Sequence, residues 1–181
     1  YARAVARRCA AADYEPVAAC TNYLFHTHTA SLDVPFRPAT EAVLRALSVD
    51  PQVTPLVLTN SLGDKVARNL ARLDVPPPRI LGDTRQYEID PLWVPPFGDG
   101  AQRVRVDAQR TIDLRRRIYY QALAEQLDAG HQVAVVADTL SLPGALPLAM
   151  GLPFVLMRTL YTPAWCATYV ARHPRGAVLD D

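Results

Sequence analysis

The sequence predicts an α/β fold, a mainly parallel sheet covered by helices on both faces. Three observations carry that prediction. Short apolar runs recur at 56–58, 79–82, 133–137 and 154–157, each too short to be a helix. Helical patterns lie between them, as the crossovers of a parallel sheet require. The clearest unit is 130–158: the run 133–137 delivers Asp138 to a strand end, a small-residue helix is expected over 142–150, Gly151 is placed to end it, and a strand follows at 154–157. Ligands in open α/β sheets sit at the carboxyl ends of the strands, which makes Asp138 the leading site candidate.

Residues 1–12 are rich in Ala and Arg, with Val5 and Cys9 at helical spacing, and read as a helix. Beyond Pro16, the stretch 17–25 runs into His26-Thr27-His28-Thr29. Two histidines one residue apart point to opposite faces of a strand, so by themselves they make a poor metal pair. Pro35 and Pro38 frame a turn, and Thr40 with Glu41 opens a helix over 41–47 that should place Val43, Leu44 and Leu47 on one inward face.

The strand at 56–58 ends in Thr59-Asn60-Ser61. A hydroxyl and an amide at the carboxyl end of a strand, with a helix N-terminus just beyond, suit an oxyanion. Asn60 or Ser61 would equally cap the helix expected over 62–73, and both roles are compatible. The run Pro76-Pro77-Pro78 stops that helix before the strand at 79–82. From 83 to 112 the pattern loosens, and 87–94 is expected to pair with 104–106 as a hairpin across the Pro- and Gly-rich turn 95–100. The helix over 114–127 should bury Ile118, Leu123 and Leu127. Near its start stand Arg115, Arg116 and Arg117, whose charges oppose the helix macrodipole unless something anionic lies close by. A helix at 163–172 and a strand at 177–179 close the chain.

Composition narrows the possibilities. The chain has 181 residues, half of them hydrophobic, enough for one sizeable core. A net charge of +1 gives no global attraction to nucleic acid or to a membrane surface, and neither is expected as a partner. Eighteen arginines stand against one lysine, Lys65, a bias that discourages a functional reading of each arginine. Cys9, Cys20 and Cys166 are odd in number and far apart, which argues against a disulfide framework or a zinc knuckle. No apolar run reaches membrane-spanning length and no signal peptide is visible, so a cytoplasmic location is expected.

The order of elements and two motifs together resemble the haloacid dehalogenase superfamily. LVLTNS at 56–61 resembles its second motif, VAVVADTLSL at 133–142 its fourth, and PFRPATEAVLRAL at 35–47 the segment that re-enters the core after a helical cap. The resemblance implies a Rossmann-like core over 35–181 with an insertion at about 84–112, and a helical cap remnant or N-terminal helical segment over 1–34. It implies a magnesium-dependent phosphatase, less readily a dehalogenase, acting on a small phosphorylated or anionic molecule. Thr59 and Asn60 would then bind the phosphoryl group, Asp138 would hold Mg2+, and Arg115, Arg116 or Arg117, with Arg116 favoured, would stand in for the family's lysine.

The chain also departs from the family. It contains no Asp-x-Asp pair, the family's nucleophile motif: either that motif precedes Tyr1, the favoured reading, or His26-Thr27-His28-Thr29 occupies its place. Pro143 stands where a second metal-binding acid is frequent, and Lys65 lies on the wrong helix to serve as the motif lysine. An impaired or partial hydrolase is therefore expected, with magnesium binding weak or lost; a non-catalytic binding or assembly module of the same fold is the alternative.

Overall fold

The computed structural model describes residue 36 and residues 40–82 and 86–180. The expected helix at 1–12, the pair His26 and His28, and the segment 1–34 lie outside the described residues. The chain divides into two compact units, one of residues 1–57 and 61–83, the other of residues 58–60 and 84–181. Both contain strands and helices, an α/β architecture.

The first unit holds α1 (Thr40–Val49), most of β1 (Leu56–Leu58), α2 (Gly63–Leu70) and β2 (Arg79–Leu81), with β1 and β2 hydrogen-bonded to each other. Glu41 in the first turn of α1 pairs with Arg45 one turn on, at 3.0 Å. The inward face expected for this helix is not formed: Val43 is 52% exposed and Leu47 37%. Leu62, not Asn60 or Ser61, is the N-cap of α2, and it makes no side-chain capping bond. A backbone close approach instead fixes the loop that follows β1. A Cβ on Gly82 would stand 2.8 Å from the Ser61 carbonyl oxygen and 2.9 Å from the Gly63 nitrogen, so only glycine lets the chain after β2 pass there.

The second unit contains the core. Its strands are β3 (Arg103–Arg105), β4 (Thr111–Asp113), β5 (Val135–Ala137), β6 (Phe154–Arg158) and β7 (Gly176–Asp180); its helices are α3 (Arg117–Asp128), α4 (Ala145–Ala149) and α5 (Ala164–Arg172). The parallel sheet runs β5-β6-β7, with Ala137 level with Leu156 and Leu156 level with Val178. Phe154 and Leu156 alternate on its buried face and pack with Leu114, Tyr119, Leu123, Leu140, Leu146 and Val170.

Several expectations are corrected here. Among the described residues, hydrogen bonding places β1 and β5 in separate sheets, where one sheet was expected to hold 56–58 and 133–137. The hairpin pairs β3 with β4, Arg103 opposite Asp113, and 87–94 is not one of its strands. The reason is a tighter turn further along: Asp107 accepts the Gln109 amide at 2.9 Å and the Val106 amide bonds to the Arg110 carbonyl at 2.9 Å. In α3 the buried face is Tyr119, Ala122 and Leu123, while Ile118 is 42% and Leu127 37% exposed. The helix expected over 142–150 is interrupted because Pro143 offers no N–H; residues Leu140–Gly144 form a wider turn and α4 begins only at Ala145. Gly151 ends α4 as expected, in the left-handed region at φ 77°. No helix among the described residues is long and apolar enough to cross a membrane.

Candidate anion-binding site

Two of the residues singled out in the sequence, Asn60 and Arg116, are bonded to one unforeseen residue, Tyr87, and Thr59 precedes Asn60 in the chain. The end of β1 carries Thr59, half-buried, and Asn60, whose Oδ1 accepts the Tyr87 main-chain N–H at 3.3 Å. The Tyr87 hydroxyl donates to the Leu58 carbonyl at 3.2 Å. From the other side, the guanidinium of Arg116 donates through Nη1 to the Tyr87 carbonyl. One residue thus ties the end of β1 to the start of α3, and its ring meets Tyr119 edge-on at 5.0 Å.

The three consecutive arginines have different electrostatic roles. Arg115 is locked to Asp113, with Nε to Oδ1 at 3.0 Å and Nη2 to Oδ2 at 2.7 Å, and also bonds the Pro91 carbonyl at 3.0 Å. Arg117 is exposed and lies 3.8 Å from an Asp90 carboxylate oxygen. Arg116 is half-buried at the N-cap of α3, and no carboxylate among the described residues forms an ion pair with it. Burial pulls its pKa below the ordinary guanidinium value, against a smaller opposing pull from Asp113, yet a guanidinium stays charged at any physiological pH. A partly desolvated cation whose hydrogen-bond partner is a neutral carbonyl keeps charge available for an anion.

Burial also pushes the Tyr87 phenol up to about 12, so it stays protonated at neutral pH and serves as a donor rather than a base. The described groups bonded to Tyr87 are a carbonyl, an amide and a guanidinium, which can hold and orient a ligand.

Asp138 is exposed at the carboxyl end of β5, with Oδ1 accepting from the Thr139 hydroxyl at 3.1 Å. Among the described residues no group of three His, Cys, Asp or Glu side chains could enclose a metal ion. A hard dication needs several oxygen ligands, so the described surroundings of Asp138 do not fit the magnesium that the resemblance implies.

Tyr87 was not foreseen because its partners are 27 to 29 residues away in the chain and no local pattern marks such a contact. Compared with protein-family models, curated proteins and solved structures, the chain matches none.

Proposed function

We propose that the chain is a haloacid dehalogenase-like hydrolase without working chemistry, which holds a small phosphorylated or otherwise anionic molecule at Thr59, Asn60 and Arg116. The observation that carries this reading is the half-buried Arg116 guanidinium, which has a main-chain carbonyl and no carboxylate ion pair among the described residues. Binding and catalysis separate cleanly here. An oxyanion can be gripped by a guanidinium, a threonine hydroxyl and the free N–H groups that open α3. Phosphoryl transfer needs in addition an aligned carboxylate and a cation sharing the developing charge, and the described groups bonded to Tyr87 include no carboxylate.

Calorimetric titration with inorganic phosphate tests the grip. Arg116→Ala should weaken binding by about tenfold or more, the worth of a charge-assisted hydrogen bond, and Thr59→Ala should weaken it less. Binding indifferent to both substitutions would refute the site. Hydrolysis of an aryl phosphate with saturating magnesium should stay at the uncatalysed rate; turnover abolished by Asp138→Asn would refute the loss of chemistry.

A further inference from the structure

A second cleft, of about 430 Å3, lies between the β3–β4 turn and α5, wholly within the second unit. One wall is built from Trp165 and Tyr169 of α5 and from His173, the residue that caps its C-terminus, three rings at successive four-residue steps and all half-buried. Residues four apart share a helix face about 6 Å apart along the axis, so the rings form a ladder. Tyr169 and His173 lie 6.2 Å apart, centroid to centroid. At the other end of the ladder the Arg110 guanidinium sits 5.3 Å over the Trp165 ring.

The turn facing this ladder is braced from within. Asp107 accepts from the Gln109 amide at 2.9 Å and pairs with Arg110 at 2.5 Å, while Arg105 donates to the carbonyls of Asp107 at 3.1 Å and Ala108 at 3.4 Å. The single acid lining the cleft is thus spent on its own turn. Arg172 borders the cleft exposed and forms no ion pair with any described residue. His173 Nδ1 accepts the Arg175 amide at 3.2 Å, which directs the proton of a neutral imidazole to Nε2 as a free donor. The cleft therefore combines aromatic faces, an unspent cation and an N–H donor, with its negative charge already neutralised.

We propose that this cleft binds a small anionic molecule bearing a planar aromatic ring, the ring packing on Tyr169 and the anionic group meeting Arg172 and His173. The ligand class follows from complementarity: π-faces suit a planar ring, and the uncompensated charge suits an anion. Neither feature depends on the grip proposed around Arg116, which is a different site.

The test uses adenosine monophosphate as the probe and Trp165 fluorescence as the readout. The chain has two tryptophans, so the titration is done with Trp93→Phe to leave Trp165 alone. Saturable quenching is expected, about tenfold weaker in Arg172→Ala and in Tyr169→Leu, and unchanged in Arg116→Ala. Arg172 is exposed, so its substitution leaves the fold intact even if Tyr169→Leu does not. Adenosine should bind more weakly than the monophosphate. Absence of saturable quenching at millimolar probe, quenching unaffected by Arg172→Ala, or adenosine binding as tightly as the monophosphate would each overturn the proposal. Loss of quenching in Arg116→Ala would overturn it too, by placing the probe at the other site.

Discussion

Tyr119 carries an uncompensated polar atom into the core. The residue is fully buried, and its hydroxyl has no hydrogen-bond partner among the described residues. Burial, with a smaller contribution from Tyr87, pushes its phenol up, which keeps it neutral. A buried donor without a partner costs about 1–3 kcal/mol, so Tyr119→Phe should raise the free energy of unfolding in urea by about 1 kcal/mol; a loss of that size would show that the hydroxyl is satisfied after all. Asp113 has the opposite character. Hydrogen bonds from Arg115 hold its carboxyl below the usual range, so its contribution to stability is complete above about pH 4 and is lost as pH falls through the depressed value. Asp113→Asn should lower the denaturation midpoint at pH 7 and flatten its fall below pH 4, and an unchanged acid slope would refute the assignment. At this scale the sequence was partly legible. Arg116 was favoured among three adjacent arginines as a phosphate-facing cation, but what sets it apart in the structure, that Asp113 holds Arg115 while Asp90 lies near Arg117, is not marked in a run of three identical residues.

The elements that were readable are those whose signal is local. The strand Phe154–Arg158 follows from a short apolar run after a glycine stop, and Pro163 with the helical pattern behind it marks the start of α5. The hairpin was misplaced because a Pro- and Gly-rich stretch outweighed Asp107, whose side chain makes the actual turn. The face of α3 was misassigned because Ile118 is more apolar than Tyr119, and packing against Tyr87 decided the matter. The broken helix before α4 creates a demand that no periodicity announces: a Cβ on Gly144 would stand 2.4 Å and 2.5 Å from two atoms of the buried Phe154 ring. That ring has a fully packed environment, so Gly144→Ala should destabilise the protein by about 1–3 kcal/mol through overpacking. Restoring space with Phe154→Leu in the same chain should recover part of the loss, and simple additivity of the two substitutions would contradict the contact.

At the scale of the whole molecule, apolar burial among the described residues is very unevenly spread. The hydrophobic cluster that includes Tyr119, Phe154, Leu156 and Val170 lies in the second unit, whereas α1 contains no buried residue and its Val49 is 70% exposed. The sequence foresaw one parallel sheet; among the described residues the strands form separate hydrogen-bonded sets, because pairing depends on neighbours that a run of three apolar residues cannot specify. Local stability follows buried apolar contact and shielded hydrogen bonds, so it should be uneven in the same way. Strand β6 is bonded on both sides, by β5 and by β7, and its amides can exchange with solvent only when the sheet opens. The amides of α1 need no more than fraying of a ten-residue helix whose apolar side chains already meet water. Hydrogen exchange followed by mass spectrometry should therefore show peptides spanning Phe154–Arg158 protected at least about 100-fold more strongly than those spanning Thr40–Val49, a ratio that corresponds to local against global opening. Equal protection of the two would mean that α1 shares the cooperative unit of β6, and the assignment of stability to the core of the second unit would fall.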